Sequence, residues 1–118
     1  MNIGRKLKDV VALLDAKVIC GSGELERVME FAFASDLMSD VLTLKNDNLL
    51  LLTGLANLQT IRTSEMSDIN NIIFVRNKKA TDEMIELADE NKMVLIECGY
   101  SMFKTSGLLY NAGLKPLF

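Results

Sequence analysis

Apolar and polar residues follow two rhythms along this chain, one of helices and one of buried strands. At the start, Ile3, Leu7, Val10, Val11 and Leu14 recur at helical spacing, while Arg5, Lys6, Lys8 and Asp9 take the other side. This predicts an amphipathic helix with Asn2 as its N-cap. Val18-Ile19-Cys20 is a short apolar strand halted by Gly21-Ser22-Gly23. The run Val28-Met29-Glu30-Phe31-Ala32-Phe33-Ala34 reads either way. Its Phe-Ala alternation and the Ser35-Asp36 stop favour a strand leading into a helix capped by Ser35. In that helix Leu37, Met38, Val41 and Leu42 form the inward stripe, and Asp36 suits the positive end of the dipole.

Lys45-Asn46-Asp47-Asn48 reads as a turn. Leu49-Leu50-Leu51-Leu52 is short and uniformly apolar, as a strand buried on both faces must be. After Thr53-Gly54, Asn57 caps a helix reaching Met66, and Ile72-Ile73-Phe74-Val75 is a second fully buried strand. Thr81 caps a helix from Asp82 to Glu90 that turns Met84, Ile85, Leu87 and Ala88 inward, and Asn91 suits a left-handed C-terminal position. Met93-Val94-Leu95-Ile96 is the last strand. Ser101 caps a closing helix that stops at Gly113, with Pro116 beyond it. Strands alternating with helices of about ten residues spell an α/β fold with a mostly parallel central sheet flanked by helices. The expected organisation is a single layered domain, an N-terminal helix at 1–16 followed by an α/β core at 17–114.

Length and composition agree with that picture. A chain of 118 residues makes one domain and buries about two thirds of its unfolded surface. With glycine counted and tyrosine left out, its apolar share runs slightly above the usual 45–50% or so. Either the core is generous and rich in methionine, or another subunit covers some apolar surface. Thirteen basic against sixteen acidic residues give a net charge of −3, which argues against a nucleic-acid partner. No apolar run approaches the roughly 18–20 residues of a membrane span, and the first residues lead into an amphipathic pattern rather than a signal-peptide core. No membrane partner and a cytoplasmic location are therefore expected.

Two cysteines and no histidine remove whole chemistries. Cys20 and Cys98 cannot complete a four-ligand zinc site, and no histidine is present to activate a nucleophile. Each cysteine ends a strand and precedes a glycine. Adjacent strands would bring the thiols together as a redox pair; the plainer reading is two buried, reduced hydrophobes. Asp36 and Asp40 sit four apart on one helix face, a spacing that also fits solvated helix-start charges, and a metal normally draws on more oxygens. Gly99-Tyr100-Ser101-Met102-Phe103-Lys104-Thr105 looks like a phosphate-binding loop, but Phe103 stands where the second glycine is needed. Gly107 inside the closing helix suggests a closely packed neighbour, from the sheet or from a second subunit. Neither a catalytic set nor a metal or cofactor is expected.

Ligands of parallel sheets bind beyond the carboxyl ends of the strands. Those ends here are Gly21-Ser22-Gly23, Thr53-Gly54, Arg76-Asn77-Lys78-Lys79 and Gly99-Tyr100-Ser101. Gly21, Ser22, Ser35, Asp36, Thr53, Gly54, Arg76 and Lys78 form the candidate ligand-binding set, with Arg76 and Lys78 as countercharges for an anion. The same small and hydroxyl residues also serve turns and caps in any α/β domain.

The blocks Ala34-Ser35-Asp36-Leu37-Met38-Ser39-Asp40-Val41-Leu42, Leu52-Thr53-Gly54-Leu55, Ile61-Arg62-Thr63-Ser64-Glu65-Met66, Phe74-Val75-Arg76 and Thr105-Ser106-Gly107-Leu108-Leu109-Tyr110-Asn111-Ala112-Gly113-Leu114 stand in one order. In that order the chain resembles the DRTGG domain, whose members look like the N-terminal domain of HPr kinase/phosphorylase. The literal Asp-Arg-Thr-Gly-Gly string is absent. The resemblance implies a layered, non-catalytic regulatory or interaction domain, often beside nucleotide-sensing CBS modules and often a homodimer. The expected function is thus a dimeric regulatory module with a protein partner or a small anionic ligand. The alternative is a sensor of a nucleotide or phosphorylated metabolite at the strand-end rim. A serine-kinase-like phosphotransferase is the weaker alternative, since phosphoryl transfer needs a phosphate cradle and a metal-binding acid.

Overall fold

The computed structural model describes residues 4–44 and 48–118, so the expected cap at Asn2, the apolar Ile3 and the turn residues Lys45, Asn46 and Asp47 lie outside it. In chain order the elements are β1 (Arg5–Lys6), α1 (Leu7–Leu13), β2 (Lys17–Cys20), a 3-10 turn (Ser22–Glu24), β3 (Val28–Met29), β4 (Phe31–Ala34), α2 (Met38–Val41), β5 (Leu49–Thr53), α3 (Leu58–Met66), β6 (Asn71–Phe74), α4 (Asp82–Glu90), β7 (Val94–Glu97), α5 (Met102–Asn111) and β8 (Lys115–Pro116).

The main sheet has the order β2-β7-β6-β5-β4-β8. Neighbours from β7 through β8 run parallel, and β2 joins β7 antiparallel, with Lys17 opposite Glu97. From β4 to β7 the chain steps across the sheet in one direction. Right-handed crossovers then place α2, α3 and α4 on one face. The connection from β7 to β8 runs back the other way, so the same handedness sends α5 to the opposite face, beside α1.

Strand alternation divides the core accordingly. Leu49, Leu51, Ile72, Phe74 and Leu95 pack with Val41, Ile61, Met84 and Ala88. Leu50, Leu52, Ile73, Val94 and Ile96 pack with Leu7, Val10, Leu14 and Leu109. Both faces of β5 and β6 are covered, which is why Leu49–Leu52 and Ile72–Phe74 are unbroken apolar runs.

Three caps stand where the sequence puts them: the side chains of Asn57, Thr81 and Ser101 accept from the amides of Thr60, Met84 and Lys104. Other expectations are corrected. Residues 28–34 form two strands, because β3 turns away at Glu30 to pair with β1 in a separate ribbon. Arg5 and Lys6 are therefore strand, and α1 begins only at Leu7. Ser35 is no N-cap: α2 starts at Met38, and the Ser35 hydroxyl accepts from the Leu37 amide in a turn. Of the expected stripe only Val41 is fully buried; Leu37 is 58% exposed, and Leu44 takes the second inward place. Lys92, not Asn91, adopts the left-handed conformation after α4, with φ 55°.

The two cysteines lie far apart in role. Cys20 packs with the α4 face and Cys98 with the α1–α5 face; both are buried and free. The sheet stands between them, and they form no redox pair. Burial, and after it the charge of Asp89, pushes the Cys20 thiol above its ordinary range.

Candidate functional site

At the carboxyl edge of the parallel strands, each strand hands its loop to the next through the backbone. The Ser35 amide donates to the Leu52 carbonyl, the Val75 amide to Thr53 and the Cys98 amide to Phe74. Seven-residue stretches or shorter lead from these strand ends into α3, α4 and α5, so the helix starts face the same edge.

Asp36 and Thr53 form one half of this rim. One oxygen of the Asp36 carboxylate accepts from the Thr53 hydroxyl at 2.9 Å and from the Gly54 amide at 2.6 Å. The Thr53 hydroxyl in turn accepts from the Leu55 amide at 3.1 Å. Thr53 is fully buried, so its hydroxyl needs this acceptor. Asp36 is thus a clasp between the ends of β4 and β5, and not a helix-dipole charge.

The other half lies between β6 and β7. The loop after β6 leads to α4 on one face of the sheet, whereas the loop after β7 leads to α5 on the other. Ligands of parallel sheets bind at such a switch point, where successive connections leave to opposite faces. Arg76 and Asn77 both take φ 59°, a conformation uncommon in residues other than glycine. Two backbone bonds hold it: the Arg76 amide donates to the Tyr100 carbonyl at 2.8 Å and the Asn77 amide to Cys98 at 3.0 Å. With the backbone pinned, the Arg76 and Lys78 side chains are exposed and have no ion-pair partner among the described residues. Lys79 differs, reaching Glu97 at 3.4 Å. At the start of α5, the Lys104 ammonium lies 3.8 Å from the centre of the Tyr100 ring. Gly99 lies under Asn77, whose side-chain oxygen would stand 3.1 Å from a Cβ there.

Ser35, Asp36, Thr53, Gly54, Arg76 and Lys78 therefore share the carboxyl edge. Gly21 and Ser22 do not. Because β2 is antiparallel to β7, its C-terminal end lies at the opposite pole, against Met93 and Val94. Gly21 is glycine for a local reason: φ is +83°, and a Cβ would stand 2.8 Å from the Met93 carbonyl oxygen. Asn77, Gly99, Tyr100 and Lys104 were absent from the expected set. Strand-end position marks the first three, but only the strand order shows that the connections after β6 and β7 diverge beside them.

The family model described as "DRTGG domain" matches residues 9–112. The chain belongs to the DRTGG domain family. Comparison with curated protein sequences returns no match. Among solved structures, this DRTGG domain is similar to the CBS and DRTGG domains of the regulatory region of Clostridium perfringens pyrophosphatase, complexed with its activator diadenosine tetraphosphate. The TM-score is 0.73 at 14% identity, over 88% of this chain and 45% of that one. The shared fold agrees with the layered α/β arrangement read from the sequence. The domain spans under half of that neighbour, and among its described residues no helix is long and apolar enough to cross a membrane.

Proposed function

We propose that this DRTGG domain is a non-catalytic regulatory module that acts as a homodimer and senses a nucleotide or phosphorylated metabolite between the ends of β6 and β7. The observation that carries the ligand reading is the pair of exposed cations, Arg76 and Lys78, without an ion-pair partner among the described residues, on a loop held left-handed at the point where the connections diverge. Strained backbone persists only where its surroundings fix it, and such residues gather at binding sites. A phosphate placed there meets two countercharges, and Lys104 and Tyr100 stand opposite as a cation and a flat ring. The Clostridium neighbour is a regulatory region with a nucleotide activator, which lends this ligand class support. A non-catalytic role fits a chain without histidine and with Phe103 in place of the second phosphate-loop glycine.

Thermal unfolding in the presence of adenine nucleotides, diadenosine polyphosphates and sugar phosphates tests the reading. A ligand at a hundred times its Kd stabilises the folded state by about 2.7 kcal/mol, enough for a clear rise in Tm. At least one phosphorylated compound is expected to give that rise in the wild type, and Arg76→Ala and Lys78→Ala to remove it. Lys115→Ala, on a distant strand, keeps it. No rise with any compound, or a rise that survives Arg76→Ala, overturns the site.

A further inference from the structure

Glu97 is a carboxylate at a place where a covered strand favours an aliphatic residue. It ends β7, and strand alternation turns it to the same face as Leu95, toward α4. Its side chain is only 9% exposed. A carboxylate so far out of water is destabilising unless a countercharge and hydrogen bonds offset the loss. Lys17 stands directly opposite on β2, but the ion pair of Glu97 runs to the loop after β6, where Lys79 Nζ lies 3.4 Å from Oε1. The other oxygen, Oε2, accepts from the Ala80 amide at 3.0 Å. Both contacts fall on the last two residues before Thr81 caps α4.

We propose that Glu97 is the positioning residue of the cation loop, a role that rests on the binding reading above and names the group that organises its site. The loop carries two non-glycine residues in the left-handed region, Arg76 and Asn77. Such backbone relaxes unless its surroundings hold it. Its near end is held by carbonyls, the Arg76 amide on Tyr100 and the Asn77 amide on Cys98. Its far end is held by Glu97, so that residues 97–100 fix both feet of the arch. Between the feet the Lys78 amide turns back to Val75 at 3.2 Å. The same contact sorts the charges of the loop: Lys79 is engaged, and the exposed Arg76 and Lys78 are left for a ligand. An aliphatic residue at position 97 would meet the demands of the sheet, but it would leave the Ala80 amide without its acceptor. Glu97 itself touches no ligand; it acts through the loop.

Residue-resolved amide exchange of the unliganded chain tests this role in Glu97→Met and Glu97→Gln. Inorganic pyrophosphate, a probe that needs only the two countercharges, is then titrated through the same signals. Methionine keeps the bulk and removes both contacts, whereas glutamine keeps an oxygen for the Ala80 amide. Circular dichroism shows whether each variant is folded, and Glu97→Ala takes the place of the methionine variant if that one is not. In Glu97→Met, exchange is expected to be about tenfold faster at Arg76, Asn77 and Ala80, with the Ser35 and Val75 amides of the sheet edge unchanged. Pyrophosphate binding weakens about tenfold in the same variant, as the loop is no longer preorganised. Glutamine restores both readouts to within about threefold of wild type, because a partly solvated ion pair contributes little. Loop amides that exchange at the wild-type rate in Glu97→Met overturn the role. Faster exchange with unchanged pyrophosphate affinity also overturns it, and leaves the site standing where Arg76→Ala still abolishes binding. Pyrophosphate binding that is absent from the wild type, or that survives Arg76→Ala, overturns the site and the positioning role with it.

Discussion

Asp36 shows how one side chain can hold two strand ends in register. Its carboxylate receives the Thr53 hydroxyl and the Gly54 amide, and Thr53 is wholly out of water. Asp36→Ala leaves both donors without their acceptor, and stranding a buried polar group costs about 1–3 kcal/mol. Urea unfolding is expected to show a loss in that range for Asp36→Ala and a smaller one for Asp36→Asn, which keeps an acceptor oxygen. Equal midpoints for wild type and Asp36→Ala would refute the clasp. The sequence marks Asp36 as a polar residue between apolar blocks, but its partner is 17 positions away. Local pattern therefore assigns it to the helix that follows, the nearest place for an acid. Arg76 was legible for the opposite reason: a strand end followed by cations needs no distant partner to be noticed.

At the scale of elements, long aliphatic strands and capped helices were readable because each carries its own signal. Leu49–Thr53 declares burial on both faces, and Thr81 announces α4 with one hydroxyl. The β1–β3 ribbon was not readable. Each strand is two residues long, and its pairing depends on a return of the chain more than twenty positions later. Ion pairs help close that return: Glu26 meets Lys6 at 2.8 Å and Lys8 at 3.0 Å. The Lys6 contact first, then Lys8, holds the Glu26 carboxyl below its ordinary value, while Glu26 raises Lys6. The sign follows. Glu26's contribution is present above the ordinary glutamate range and lost as pH falls through the lowered folded value. That of Lys6 is present below the ordinary lysine range and lost as pH rises through the raised one. All three side chains are solvated, so the effect is modest and fades with salt. Amide-exchange protection at Leu7 and Lys8, whose N–H groups bind Arg27 and Leu25, is expected to drop in acid at low salt. Glu26→Gln flattens that change; an unchanged acid profile in this variant would show that the ribbon closes without the pairs.

For the whole molecule, the decisive feature is the direction of its crossovers. Three connections that advance and one that returns put helices on both faces and make the β6–β7 junction the point where the connections diverge. The returning chain also closes an edge. β8 lies alongside β4, the Lys115 amide donates to Glu30 at 2.9 Å, and the Phe118 ring meets Phe33 edge-on at 6.1 Å. Pro116 has no N–H to offer a further strand, so the sheet stops there. Without β8, β4 would present a Phe-Ala-Phe-Ala run as an open edge, the kind of template on which strands of other molecules pair. Lys115→Pro tests this by removing one donor and leaving the strand's position and the Phe118 contact to compete without it. Expected is a loss of about 0.5–1.5 kcal/mol in urea unfolding, the net worth of one such bond. Lys115→Ala, which keeps the amide and discards only a solvated side chain, is expected to lose little. The edge argument makes a second demand on the same variant. If β8 protects β4, Lys115→Pro forms larger species than the wild type does as concentration rises, and adding Phe118→Ala increases them. A variant that is less stable yet keeps the wild-type size distribution would mean that β4 is kept from other chains by its own twist and neighbours, and that the short final strand serves stability alone.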